Sequence, residues 1–256
     1  MSWSKHRIIL LLFTLIFLVE LWAYYSGHIC FKPIILSLFL YSILLALGSY
    51  FVGMRYYAPM INRLPKADNS KRIALSFDDG PNKTALPKLL ELLDKHHVKA
   101  NFFFIGQNLE RNMNLAKELH QQGHLIGNHS YFHKSSFPIS SWAIVRNEIV
   151  TTNSLIEEIT HKKNVYFRPP FGVSNPIIAK VVKDLNMTMI GWSLRSYDTV
   201  KKGDTLFEKL KKNINDRDIV LLHEIEQNFD VIDKFIEYAK QQGFTFVLLS
   251  DIEIKS

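Results

Sequence analysis

The fold of this 256-residue chain is decided by the stretch Lys71-Arg72-Ile73-Ala74-Leu75-Ser76-Phe77-Asp78-Asp79-Gly80-Pro81. Its apolar part, 73–77, is typical of a buried β-strand. The strand runs directly into two carboxylates and a Gly-Pro turn, and a helical pattern follows over Leu86–His96. The stretch therefore predicts the first strand, turn and helix of a parallel βα unit. Taken alone, Asp-Asp-Gly-Pro is more often a solvated turn, because Asp, Gly and Pro all favour turns.

The alternation of strands and helices continues along the rest of the chain. Further strands are predicted at 100–105, 124–127, 165–168, 187–194, 218–222 and 244–249. Further helices are predicted at 109–122, 140–159, 175–185, 205–214 and 229–241. About seven strands without a glycine-rich phosphate loop favour an α/β fold of the distorted or incomplete (β/α) barrel type over a nucleotide-binding sheet. In such barrels, active sites lie where strands end and βα loops begin.

Two long apolar segments precede this pattern. The first, 8–25, is broken only by Thr14 and Glu20, and the second, 34–54, carries no charge. Because about 20 apolar residues cross a hydrocarbon core of roughly 30 Å, we expect residues 1–55 to form an anchor of two transmembrane helices in contact with membrane lipid. A signal peptide or a buried apolar hairpin are the alternatives. Residues 56–70 have the composition of a linker, which leaves 71–256 as the globular domain.

The net charge of +7 is unevenly distributed. Residues 1–66 contain six Lys or Arg and one acid, whereas residues 67–256 contain 25 basic and 23 acidic residues. Most of the excess positive charge therefore lies beside the apolar segments, where it bears on their orientation in a membrane. We expect no nucleic-acid partner. The only cysteine, Cys30, lies between the two apolar segments. Any metal in the globular domain must therefore be held by His, Asp or Glu.

Three further strand ends carry polar side chains. His129 and His133 are four residues apart, a spacing that places two imidazoles on one face of a helical turn, close enough to bind one divalent ion. With one carboxylate of the Asp pair they would leave a ligand position open for water, as in catalytic zinc sites. Arg168 begins a stiff Pro-Pro loop and can hold a carboxylate ionised. His223 ends an apolar strand, where a lone histidine is more often structural than catalytic.

Together, these four strand ends supply the residue types that metal-dependent hydrolysis of an amide needs. The combination resembles the polysaccharide deacetylases with a NodB homology domain, the fourth family of carbohydrate esterases. The matching motifs are, in chain order, Ser76 to Pro81, His129 to His133, Arg168 to Gly172, Trp192 to Asp198, and Leu221-Leu222-His223. The resemblance covers about residues 70–250 and leaves out the apolar segments.

The resemblance implies a role for each catalytic position. It implies that one divalent metal, usually zinc in such proteins, is held by Asp79, His129 and His133. It also implies that Asp78 is the general base and His223 the general acid. Two further residues would support them: Arg168 would orient Asp78, and Asp198 would tune His223.

The same resemblance implies a substrate pocket. Leu221 would line the space for the acetyl methyl group, and Trp192 would contact the substrate. The backbone N–H of Phe171 would help to stabilise the oxyanion. Phe171 stands where the family usually has Tyr, a change that a backbone donor tolerates. Arg195 stands where many members have Asp, and we expect it to face an anionic group of the substrate.

The expected function is removal of N-acetyl groups from an amino-sugar glycan of the chitooligosaccharide or peptidoglycan type, with a water that the metal activates. One alternative is deacylation of a polyprenyl-phosphate-linked sugar at the cytoplasmic membrane face. Another is a non-catalytic glycan-binding membrane protein. Topology bears on the choice, since five of the six basic residues in 1–66 lie before the first apolar segment or after the second. That bias predicts a multi-pass protein of the bacterial inner or plasma membrane with a cytoplasmic catalytic domain.

Overall fold

The computed structural model describes residues 5–66 and 71–252, which form a helical hairpin followed by a curled parallel sheet with flanking helices. The strands are β1 (Lys71–Asp78), β2 (Asn101–Phe104), β3 (Leu125–Asn128), β4 (Tyr166–Phe167), β5 (Thr188–Met189), β6 (Leu194–Arg195), β7 (Ile219–His223) and β8 (Phe244–Phe246). The helices are α1 (Lys5–Tyr25), α2 (Lys32–Tyr50), α3 (Ala85–Lys95), α4 (Gly106–Arg111), α5 (Met113–Gln121), α6 (Trp142–Thr160), α7 (Pro176–Asp184), α8 (Gly203–Asn213) and α9 (Phe229–Gln241).

The sheet is an incomplete barrel, as the sequence predicts. Its strand order is β5-β4-β3-β2-β1-β7-β6, all neighbours are parallel, and β8 pairs with the first residues of β1. Among residues 5–66 and 71–252, no ladder joins β5 to β6. The central position of β1 places Asp78 beside Phe103 of β2 and beside His223 of β7.

Residues 73–78 are all buried because both faces of β1 are covered. Leu75 and Phe77 pack among the helices on the outer face of the sheet. Successive side chains of a strand point to opposite faces, so Ala74, Ser76 and Asp78 share the inner, concave face. The candidate site lies at the carboxyl end of that face.

The segment that composition marks as a linker packs against the domain. Leu64 is almost fully buried. Isolated β-bridges join Ile61 to Ile190 and Arg63 to Asp218, so the segment fills part of the open side of the barrel. Its charged and proline residues are typical of a linker, but Tyr56, Tyr57 and Met60 are buried as well. Residues 67–70 of the predicted linker lie outside the described residues.

Two predicted elements are divided in the structure. The predicted strand 187–194 becomes β5 and β6 on opposite edges of the sheet, because the chain crosses the open side of the barrel between them. The predicted helix 109–122 becomes α4 and α5, which meet at Asn112, where the backbone leaves the helical region with φ −132° and ψ 35°. Gly123 follows α5 with φ +85°, a left-handed conformation that suits glycine and ends the helix.

Helices α1 and α2 are both long and apolar enough to cross a membrane. No described residue of α1 is buried, and in α2 only Gly48 is, so the hairpin is not a buried core element. The two helices contact each other through stacked Phe13 and Tyr41 rings, 4.0 Å apart, and through the Ser37 hydroxyl, which donates to the Glu20 carboxylate at 2.7 Å.

Candidate active site

The two adjacent carboxylates at the end of β1 have different environments. Asp78 is the last residue of the strand, and its side chain is 5% exposed, whereas that of Asp79 is 47% exposed. Asp79 takes a left-handed backbone conformation, with φ +73°, which turns its side chain away from that of Asp78. The turn needs glycine next, because a Cβ on Gly80 would lie 2.0 Å from a carboxylate oxygen of Glu224.

Asp78 is held by a fully buried arginine. One Arg168 nitrogen donates to Asp78 Oδ1 at 2.7 Å and to the Ser76 hydroxyl at 2.9 Å, and the other donates to the Gly191 carbonyl at 3.0 Å. The guanidinium also lies 4.0 Å from the centre of the Phe103 ring. Burial raises the pKa of the Asp78 carboxyl, and the charge and hydrogen bond of Arg168 oppose that rise. The pairing favours an ionised Asp78 with one oxygen, Oδ2, not used by Arg168.

The two metal-candidate histidines lie on a loop after β3, and the predicted helical turn is wrong. Ser130 and His133 have positive φ, at 64° and 52°, so the chain folds back without forming a helix. The loop is fixed by side chains: Asn128 Oδ1 accepts from the Ser130 N–H at 2.8 Å, and the Ser130 hydroxyl accepts from the His133 N–H at 3.1 Å. The histidine pair is nevertheless brought together, with ring centres 4.8 Å apart for His129 and His133.

Asp79, His129 and His133 form a set that fits one divalent metal. Nε2 of His129 lies 3.5 Å and Nε2 of His133 lies 3.6 Å from Asp79 Oδ1. In a tetrahedral zinc site with bonds of about 2.1 Å, two ligand atoms lie roughly 3.4 Å apart. His129 Nδ1–H donates to the Arg168 carbonyl at 2.7 Å, which leaves Nε2 free to bind a metal. Burial lowers the pKa of His129 to about 3, so the imidazole is neutral, as a metal ligand must be.

His223 approaches the same point from β7. Its Nδ1–H donates to Asp198 Oδ1 at 2.8 Å, and its backbone N–H donates to Asp198 Oδ2 at 2.7 Å. Its Nε2 then faces the site, 3.8 Å from Asp79 Oδ2. Burial lowers the pKa of His223, but the hydrogen bond and charge of the fully buried Asp198, together with the charges of Asp78 and Asp79, outweigh it, so the pKa is raised overall. A histidine in this environment suits proton donation at neutral pH.

The residues expected to contact substrate lie around this centre. Phe171 is half-exposed, has φ +59°, and places its ring 4.5 Å from that of His133. Leu221 is buried on the inner face of β7, two residues before His223. Trp192 lies 5.8 Å from the Arg168 guanidinium. Arg195 is exposed at the edge, with its guanidinium 5.9 Å from the Trp192 ring.

Two buried glutamates support the site and have no signal in the sequence. Glu148 of α6 accepts from the backbone N–H groups of Tyr131 and Phe132, at 3.1 and 3.0 Å, and so fixes the histidine loop. Glu224, next to His223, accepts from the Asn82 N–H at 2.6 Å, and burial raises its pKa to about 8. Glu148 has the periodicity of an ordinary helix residue and Glu224 follows a strand end, so only tertiary contact reveals either role.

The fold and these contacts define a (β/α) site of the hydrolase type, with three candidate metal ligands and two candidate proton-transfer groups. A family model described as polysaccharide deacetylase matches residues 66–190. A peptidoglycan-N-acetylglucosamine deacetylase of Bacillus cereus is 33% identical over 192 residues, 72% of this chain and 89% of the relative. The chain belongs to the polysaccharide deacetylase family, whose structures include those of the CE4 carbohydrate esterases.

Other relatives widen the range of substrates within the family. A peptidoglycan-N-acetylmuramic acid deacetylase of Bacillus subtilis is 32% identical over 188 residues, 71% of this chain and 71% of the relative. A peptidoglycan-N-acetylglucosamine deacetylase of Listeria monocytogenes is 31% identical over 205 residues, 78% of this chain. The match spans only 43% of that longer relative.

Solved structures share the fold. A peptidoglycan N-acetylglucosamine deacetylase in complex with a naphthalenyl N-hydroxybenzamide superposes with a TM-score of 0.71 at 30% identity, covering 76% of this chain and 92% of that one. A CE4 family pseudoenzyme from Bacillus anthracis superposes with a TM-score of 0.70 at 29% identity, covering 76% of this chain and 68% of that one. The family therefore contains proteins with and without activity. Whether this chain is active depends on the side chains of its own site.

Proposed function

We propose that this chain is a metal-dependent N-deacetylase that acts on amino-sugar glycans of the peptidoglycan type, the substrate that appears in the names of its relatives. One observation carries the proposal. The set of Asp79, His129 and His133 lies beside two proton-transfer groups, Asp78 and His223, each with its own buried partner. A protein that only binds glycan needs neither a buried Arg-oriented carboxylate nor an Asp-tuned histidine.

Asp79, His129 and His133 would hold the metal, most suitably zinc, which when bound supplies a Lewis acid at the open side of these three ligands. Asp78 accepts a proton from the attacking water through Oδ2, because Arg168 holds Oδ1 and fixes the plane of the carboxylate. The charge and hydrogen bond of Arg168 favour the ionised carboxylate and oppose the rise in the pKa of Asp78 that burial causes.

His223 completes the reaction on the other side of the amide. An amine cannot leave as an anion, so the nitrogen must be protonated as the C–N bond breaks. The hydrogen bond from Nδ1–H to Asp198 stabilises the doubly protonated imidazolium, whose second proton, on Nε2, is the one donated to the leaving nitrogen. The Phe171 backbone N–H would donate to the developing oxyanion, and Leu221 and Trp192 would enclose the acetyl group and sugar ring.

A second candidate substrate, a polyprenyl-phosphate-linked amino sugar, is favoured by charge. Lys5 and Arg55 lie at the domain end of the hairpin, and Arg7, Arg63 and Lys66 are near in sequence, whereas the other end carries only Lys32, the first residue of α2. Under the positive-inside rule a membrane-spanning hairpin with this bias holds the domain in the cytoplasm, where finished cell-wall polymer is absent. A reporter fused to the C-terminus, active in one compartment only, distinguishes the two topologies.

The test of the reaction is acetate release from chitotetraose, from purified peptidoglycan and from a polyprenyl-linked N-acetylglucosamine, with added zinc. Asp78→Asn keeps the shape of the side chain and removes the base, so we expect a rate loss of about 10²- to 10⁴-fold. Asp218→Asn is the matched control, because Asp218 is equally buried but bonds to Ser193 and Asn215 instead of the site. Unchanged turnover in Asp78→Asn, with the fold verified by circular dichroism, would contradict the proposal.

A further inference from the structure

An apolar rim lies beside the candidate site. We define it as Ile139, Trp142, Phe171 and Ile177, whose side chains are all at least a third exposed, with Ile139 at 87%. Phe171 contacts the metal-candidate His133, so the rim reaches the centre of the site. Ile139 and Trp142 follow the histidine loop in the chain, and Phe171 and Ile177 follow Arg168, so the two segments that lead away from the site expose four large apolar side chains. Soluble surfaces seldom expose large contiguous apolar patches.

The rim is continuous with the helical hairpin. The Ser174 N–H donates to the carbonyl of Ser49, in the last turn of α2, at 3.1 Å. Ser174 is three residues after Phe171, and three residues of extended chain span at most roughly 11 Å. The next residue, Asn175, donates through its side chain to the Pro138 carbonyl, directly before Ile139. Both loops that carry the rim therefore meet at the end of α2.

That end of α2 has the features of a bilayer boundary. The helix has 19 residues, which span roughly 28 Å at 1.5 Å per residue and so match a hydrocarbon core of roughly 30 Å. Tyr50 and Phe51 are exposed directly after Ser49. Lys5, at the start of α1, donates to the Met54 carbonyl at 3.1 Å, so basic and aromatic residues share this end.

The charges around the rim identify the partner surface. The Trp142 ring lies 5.7 Å from the Arg146 guanidinium and 5.9 Å from the Lys180 ammonium. Lys180 also pairs with Asp184 at 2.6 Å, whereas Arg146 forms no ion pair within residues 5–66 and 71–252. An exposed Trp beside cations is the combination that binds an interface of anionic lipid headgroups.

We propose that the apolar rim rests on the surface of the bilayer and holds the metal-candidate end of the barrel against it. The partner is the headgroup layer of the membrane that the hairpin crosses. The site would then act on amino sugars carried at the membrane surface, a substrate class that rests on the proposed deacetylase function. The rim contact itself rests only on the hairpin spanning the membrane.

The contact is tested in nanodiscs of phosphatidylcholine with a quarter phosphatidylglycerol. Cys30→Ser removes the only native cysteine, and Ile139→Cys then receives a nitroxide label. Gln241→Cys is the control, an exposed position at the end of α9, which leads into β8 beside the first residues of β1, at the end of that strand away from the site. We expect the label at 139 to be accessible to oxygen and shielded from a water-soluble nickel chelate, and the label at 241 to show the reverse. Equal accessibility at the two positions would overturn the proposal.

A second measurement separates the contact from the chemistry. In Ile139→Ser/Trp142→Ser, acetate release from soluble chitotetraose should equal that of the parent. Release from polyprenyl-linked N-acetylglucosamine in vesicles should fall at least about tenfold, because two large apolar side chains no longer enter the interface. An equal fall on both substrates would overturn the proposal. A parent without activity on any substrate would refute the proposed function, while the nitroxide comparison would still decide the rim contact.

Discussion

Replacement of Asp198 by Asn tests whether His223 is the general acid. Asp198 is fully buried and accepts two hydrogen bonds from His223, one from the ring and one from the backbone N–H. An Asn side chain offers one acceptor oxygen and no charge. The variant therefore loses one bond and the electrostatic support that raises the pKa of His223 above its ordinary value, while burial continues to lower it.

The size of the effect follows from the lost bond. A hydrogen bond to a charged group contributes about 1.5–3 kcal/mol. If that energy holds the proton on His223, its loss lowers the rate by about 10- to 150-fold at pH values where the parent is still protonated and the variant is not. Because the pKa falls, the alkaline limb of the pH–rate profile should move to lower pH. At acidic pH, where both proteins are protonated, their rates should converge.

The assay is acetate release from chitotetraose between pH 5 and 9, with zinc in excess. Asp218→Asn is again the control for the loss of a buried carboxylate, and its profile should keep the parental shape. A loss of rate in Asp198→Asn that is the same at every pH would refute the role of Asp198 in tuning a proton donor. It would indicate instead that Asp198 only stabilises the loop after β6.

Three further predictions concern the metal ligands, the buried pair and the buried glutamate. Asp79→Asn should lower the zinc content measured by mass spectrometry by at least about tenfold, since one of three protein ligands loses its charge; a stoichiometric metal content would contradict the assignment. Arg168→Met leaves Asp78 buried and unpaired and should lower the free energy of unfolding by about 3–5 kcal/mol; an unchanged denaturation midpoint would contradict the pairing. Glu224 has its pKa raised from 4.5 to about 8, so its stabilising contribution is complete below pH 4.5 and is lost as pH rises through about 8. With a chelator present to remove metal, Glu224→Gln should abolish this loss of stability at high pH, which is at most about 5 kcal/mol. Melting temperatures of parent and variant that change in parallel with pH would contradict this prediction.

The sequence predicts the fold well where periodicity is local. The buried run 73–77 becomes β1, and the parallel incomplete barrel follows from strands that alternate with helices. Periodicity fails where an element depends on distant parts of the chain. The apolar stretch 187–194 looks continuous, but it crosses the opening of the barrel and contributes to two edges. The segment before β1 has the charged and proline residues of a linker, yet Leu64 is buried because the segment fills that opening.

The candidate site is predicted from residue types and motif spacing, but its geometry is not. The spacing of His129 and His133 indicates a shared ligand set, and the structure brings both to Asp79. The spacing suggests that a helical turn brings the two histidines together, and this is wrong. They lie on a loop that is bent by residues with positive φ and held in place by hydrogen bonds to Glu148. Such a buried carboxylate has no local signature, since its partners are backbone N–H groups that any sequence would offer.

The division of labour between Asp78 and Asp79 follows from where β1 ends. Asp78 still follows the alternation of side chains along the strand, so its carboxylate points to the inner face, where the Arg168 guanidinium donates a hydrogen bond to it. Asp79 is the first residue beyond the strand, and its positive φ sends its carboxylate to the exposed side, where the two imidazoles converge. The Asn108 side chain stabilises this turn by donating to the Asp79 carbonyl at 2.8 Å. One backbone reversal between identical residues thus gives a buried, arginine-bound carboxylate suited to proton transfer and an accessible one suited to binding a metal.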